Sequence, residues 1–135
     1  MQELIDELRE LAEDIPVPLE LPEHDQLVVA QEQILMPLPF DFIEFLLEAT
    51  DIVYGSIEPV TIADPHSHTY LPEVTAMAWS LGMSRELVAV CESLGGYYCI
   101  DEGGEIRYWK DDEYGEETWE NIWYWLRDVW MKSGE

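Results

Sequence analysis

Basic residues are scarce in this chain. Six Lys and Arg stand against 30 Asp and Glu, the formal net charge is −24, and Arg9 is the only Lys or Arg before Arg85. Nucleic acids and anionic membranes are gripped by basic patches, so neither is an expected partner. Long apolar runs are missing too, with none near the ~20 residues that span a bilayer. The opening stretch MQELIDELREL lacks the basic and apolar regions of a secretory signal, and the expected location is the cytoplasm. Cysteine is limited to Cys91 and Cys99, which fall where adjacent strands are expected. In a reducing compartment they read as buried thiols, and their spacing is not that of a zinc site. The glycine pairs at 95–96 and 103–104 have neither phosphate-loop spacing nor a following lysine, and Ser84 and Ser93 lack a nucleophile-elbow pattern. No repeat and no domain-separating linker is visible.

What is present points to one packed domain. Apolar residues make up 47% of the 135 positions, enough for a core at this length. Leu4, Leu8, Leu11 and Ile15 follow helical spacing, and Pro16 and Pro18 end that helix. An extended connector leads to HDQLVVAQEQILM, a second helix that Asp25 is placed to cap. A third helix starts near Phe40 or Asp41 and carries a wide, buried stripe of Phe42, Ile43, Phe45, Leu46 and Leu47. YGSIEPVTIAD reads as a strand, with Pro59 at an edge or a strand start. LPEVTAMAWSLGM reads as a helix closed by Gly82, and Leu87–Cys91 is rich in β-formers. GGYYCID and EIRYWKD predict a hairpin with a three-residue loop, Glu102-Gly103-Gly104, in which Gly104 is left-handed. That register sets Tyr98 opposite Tyr108 and Ile100 opposite Ile106 on the core face, with Tyr97, Cys99, Asp101, Glu105, Arg107 and Trp109 on the other. A last helix, TWENIWYWLRDVW, is expected to be capped by Thr118 and to hold four of the six tryptophans.

Two stretches carry candidate chemistry. DPHSH places Asp64, His66 and His68 together, and i, i+2 imidazoles on an extended segment can share a metal. The segment also has the composition of a loop and shows no further ligands nearby, so no metal or cofactor is assigned. Thirty acids make any glycosidase-type carboxylate pair weak evidence. From Asp101 to Glu120 nine acids are answered only by Arg107 and Lys110. This run is either a solvated loop or a docking surface. In the second reading Asp101, Glu102, Glu105, Asp111, Asp112, Glu113, Glu116 and Glu117 steer a basic protein partner, and Trp109 and Tyr114 supply contact area.

The order of motifs resembles the SUKH superfamily, which includes the fungal regulator of cell-wall synthesis and many bacterial immunity proteins. LPFDFIEFLLEATD (38–51) is similar to the family's LP-x-D(F/Y)-x-x-FL helix. IEPVTIAD, LPEVTAMAWSLGM, LVAVCESLGGYYCIDEGGEIRYW and the terminal aromatic helix follow in the family's order. Ala49-Thr50-Asp51 stands where the family often has Asn-Gly. The resemblance implies a single α+β domain over residues 25–135, with a curved, mainly antiparallel sheet backed by helices. Residues 1–24 then form an added N-terminal helix and connector. It also implies a non-enzymatic binding role, most concretely neutralisation of a basic, nuclease-type toxin domain, which the acidity would complement. The alternatives are a regulatory scaffold of the cell-wall type and a metal-dependent hydrolase using His66 and His68.

Overall fold

The computed structural model describes residues 2–12 and 19–135. Ile15, Pro16 and Pro18, expected to finish the first helix, lie outside the described residues. The elements run α1 (Gln2–Leu11), α2 (His24–Ile34), α3 (Phe40–Glu48), α4 (Leu71–Ser80), β1 (Val88–Ser93), β2 (Gly96–Ile100), β3 (Ile106–Lys110), β4 (Glu113–Trp119) and α5 (Ile122–Trp125). The four strands form an antiparallel sheet in the order β1-β2-β3-β4. This is an α+β architecture, as expected.

α1 buries Ile5 and Leu8 in the common core and leaves Leu11 exposed. Arg9 fastens it to the end of α3, donating to both Asp51 carboxylate oxygens at 2.8 Å and to the Glu48 carbonyl at 2.9 Å. The hydrogen bond to Asp51 holds the Arg9 guanidinium above its ordinary pKa. The cap of α2 lies two residues before the expected one. Glu23 is the N-cap, and its N–H donates to Gln26 Oε1 at 2.8 Å, half of a capping box. Asp25 sits in the first turn, where a negative charge suits the helix dipole. α3 buries Phe42, Phe45 and Leu46 completely. Phe45 meets Trp123, Trp125 and Trp130 edge-on, with centroids 5.8–6.3 Å apart, an arrangement aromatic quadrupoles favour.

Trp130 joins Trp123 and Trp125 around Phe45 because the last helix changes pitch after α5. Asn121, not Thr118, caps α5, accepting from the Trp123 and Tyr124 N–H groups at 3.0 and 3.1 Å. α5 continues as a π turn over Leu126–Trp130. Five-residue spacing then places Trp125 and Trp130 on the same inward side, which a regular helix would not do. Trp119 belongs to β4, paired with Ile106, and not to this helix. Trp130 donates from Nε1 to the Tyr54 carbonyl at 3.1 Å, holding the C-terminal turn against the segment after α3.

The expected strand around Pro59 forms only isolated bridges, Tyr54 to Ile57, Pro59 to Cys91 and Thr61 to Tyr70. Proline has no N–H to give to a ladder, so this segment lines the edge of β1 without extending the sheet. The Val60 N–H still donates to the Val90 carbonyl at 2.8 Å. The hairpin register is as expected: Tyr98 pairs with Tyr108, Ile100 pairs with Ile106, and Gly104 is left-handed at φ 95. Burial differs from the expected pattern. Tyr98 and Ile100 face the α5 side, where Tyr98 lies 5.5 Å from Trp125, yet Tyr97, Cys99 and Trp109 on the opposite face are buried as well. The reason is α4, which packs on β1 and whose end at Gly82 approaches the Trp109 ring.

One buried hydrogen bond ties these layers together. The Ala89 N–H donates to Thr75 Oγ1 at 3.1 Å, between α4 and the bulge in β1. Thr75→Val keeps the shape and removes the acceptor. It should cost about 1–3 kcal/mol, the usual penalty for an orphaned buried donor, read as a drop in the urea midpoint. A variant as stable as the parent would show that this bond adds nothing net.

Candidate functional site

The acidic run is not a loop. Asp111 and Asp112 form a two-residue turn between the paired residues Lys110 and Glu113, with φ of 50 and 64. Left-handed backbone at both central positions matches the right-handed twist of a hairpin, and aspartate tolerates it better than most residues. The chain then returns as β4. No apolar alternation announces this strand, since Glu and Gly are poor strand formers. It holds through cross-strand pairs, including Lys110 opposite Glu113.

β4 is an open edge with a bulge. Tyr114 pairs with Trp109 and Thr118 with Arg107, so Gly115, Glu116 and Glu117 stand opposite Tyr108 alone. The bulge throws both glutamates outward, and with their charge it blocks a further strand from adding to this edge. Asp111 through Glu117 are all exposed, and Lys110 is the cation next to them.

The meander divides the candidate residues into two groups. Asp101, Glu102 and Glu105 belong to the β2–β3 turn. Asp111, Asp112 and Glu113 lie at the other end of the five-residue β3, roughly 16 Å away. The first group has internal work. Asp101 Oδ1 accepts the Glu105 N–H at 3.0 Å, and Glu105 pairs with Arg107 at 3.0 Å. Arg107 also lies over the Tyr114 ring, 5.7 Å from its centroid. Of the two aromatic candidates, Tyr114 is 45% exposed. Trp109 is only 4% exposed and packs near Tyr97, so its ring is not offered to a partner.

The DPHSH segment does not bring its histidines together on one ligand. Asp64 Oδ1 accepts the His66 backbone N–H at 2.9 Å, a local turn bond. His68 Nε2 meets Glu58 Oε2 at 2.5 Å, with both side chains exposed. Ser67 bonds Thr69 at 2.8 Å and not His68, so no Ser–His pair is formed here. Among the described residues no group of three or more His, Cys, Asp or Glu is placed to hold a metal ion. A purified, untagged sample should carry less than one equivalent of zinc by elemental analysis. One tight equivalent lost on His66→Ala would contradict this. Next to the segment lies a groove of about 710 Å³, floored by Ile52, Ile57 and Trp130 and rimmed by Glu58, Thr61 and His68. Burial pushes the Cys91 and Cys99 thiols up to about 12, so both remain neutral and poor nucleophiles at neutral pH.

No helix among the described residues is long and apolar enough to cross a membrane. The fold and its surface define an α+β domain whose most unusual feature is an exposed acidic sheet edge. The chain belongs to the SUKH superfamily: the family model described as SMI1-KNR4 cell-wall matches residues 1–131, a span that takes in α1. A crystal structure of a protein from Pseudomonas syringae pv. tomato is similar to it, with 53% identity and a TM-score of 0.94, covering 98% of this chain and 100% of that one. No curated protein matches the chain.

Proposed function

We propose that this protein is a stoichiometric inhibitor of the immunity type, which binds and occludes a basic, nuclease-type toxin domain. The observation that carries the reading is the acidic turn and edge, Asp111, Asp112, Glu113, Glu116 and Glu117. All five are exposed, and among the described residues none of them is in a salt bridge. A nuclease grips phosphates with Lys and Arg, and an inhibitor that presents carboxylates competes for those same groups. Membership of the SUKH superfamily and the charge of −24 support the reading independently. The mechanism is binding and not catalysis.

Co-expression tests this. Cells making the protein encoded by the neighbouring gene should survive only when this chain is present, and the two should co-purify in a 1:1 complex. A neighbouring gene product that is neither toxic nor bound would favour the second reading, a regulatory scaffold of the cell-wall type after which the matching family is named.

A further inference from the structure

Four non-glycine residues among those described have left-handed backbone, and three of them gather at one end of the sheet: Leu94, Asp111 and Asp112. Leu94 and Gly95 close the turn between the paired residues Ser93 and Gly96. Asp111 and Asp112 close the turn between Lys110 and Glu113. In an antiparallel meander these alternate turns share an end. Lys110 spans the space between them, since a Cβ placed on Gly95 would sit 3.5 Å from Lys110 Cε. The C-terminus of α4 reaches the same end, where a Cβ on Gly82 would fall 2.7 Å from Asp112 Oδ1. Leu81, which caps α4 and precedes Gly82, is exposed as well.

Leu94 is unfavourable to the fold in two ways. It is 87% exposed, and its φ of 53 is a conformation that side chains other than Gly, Asn and Asp adopt only under strain. Its side chain contributes nothing to the turn. Tyr108 Oη donates to the Ser93 carbonyl at 2.6 Å and approaches the Leu94 carbonyl at 3.5 Å, and both are backbone atoms. An apolar knob on a pinned backbone, with the exposed carboxylates of Asp111 and Asp112 at the same end of the sheet, has the composition of an interface centre with a charged rim.

We infer that this end of the sheet is where the basic partner seats: Leu94 enters an apolar pocket, and Asp111 and Asp112 pair with the Lys and Arg around that pocket. The inference rests on the functional reading above and adds to it the contact point. It moves the centre of the interface away from Asp101, Glu102 and Glu105.

The chain supplies its own control. Leu35 is 89% exposed with φ 60, the same exposure and strain, but it caps α2. Tyr70, at the start of α4, donates to Gln33 Oε1 at 2.8 Å, so Leu35 lies near the opposite end of α4 from Gly82. The test measures thermal midpoints of Leu94→Asn and Leu35→Asn, and their affinity for the protein encoded by the neighbouring gene, by calorimetry. Asparagine accepts left-handed backbone, so neither midpoint should fall. Leu94→Asn should weaken binding by about tenfold or more, mainly through faster dissociation, while Leu35→Asn leaves it unchanged. Wild-type affinity in Leu94→Asn, or equal losses in both variants, would overturn the inference while the functional reading stands. A neighbouring gene product that the wild-type chain does not bind would overturn both.

Discussion

Ile100→Asp should unfold the domain or leave it barely folded. Ile100 is buried at the end of the interior strand β2, opposite Ile106, on the face that carries Tyr98. A carboxylate there must either remain charged without a partner or take up a proton at a cost. Either way the loss is about 4 kcal/mol or more, against the ~5–15 kcal/mol that a domain of this kind possesses. The six tryptophans make intrinsic fluorescence a direct readout of the urea transition. Ile100→Val removes one methyl group from the same place and should cost only about 1 kcal/mol. An aspartate variant with the parent's midpoint would contradict the burial assigned to this position, since both faces of β2 are covered and a charge there has no route to water.

The second large effect is on association. Changing Asp111 and Asp112 to asparagine, which accepts the same left-handed backbone, and Glu116 and Glu117 to lysine should leave the fold intact, since all four side chains are exposed and surface substitutions usually stay within about 0.5 kcal/mol each. Capture of a basic partner should slow sharply. Steered encounters reach about 10⁸–10⁹ M⁻¹s⁻¹ at low salt, against about 10⁵–10⁶ without steering, and reversal turns attraction into repulsion. Stopped-flow mixing with the neighbouring gene product resolves this. A folded variant that associates as fast as the wild type would place the interface elsewhere and return these acids to the role of keeping an aromatic-rich protein in solution.

Much of this architecture was legible in the sequence because local chemistry and final position agree. The β2–β3 hairpin follows from alternation in YYCI and IRYW around a glycine-bearing loop, and its register is the one observed. The buried stripe of α3 follows from Phe42, Phe45 and Leu46 at helical spacing. Where tertiary context decides, local reading falls short. β4 carries Glu, Gly and Glu and shows no strand period, so only the paired aspartates of its turn announce it, and Asp-Asp is a weak turn signal beside Asn-Gly. Trp109 reads as half of a surface pattern until α4 is seen to cover that face. The end of the terminal helix turns on a π step that residue spacing does not encode, since Trp125 and Trp130 share a side only if the helix widens. The acidic candidates were legible as a set, but not their division between two ends of a sheet. Leu94 passed unmarked because its peculiarity is a backbone angle, visible only once the Leu94–Gly95 turn is built.

Stoichiometric capture of a basic partner by the acidic edge is the central proposal. Titrating the protein encoded by the neighbouring gene with this chain, at low and at physiological ionic strength, tests it most directly. The expected result is a 1:1 complex whose association slows as salt shortens the screening length to about 8 Å, with the partner's nucleic-acid cleavage falling in step with occupancy. Binding that is indifferent to salt, or cleavage that persists in the saturated complex, would contradict it.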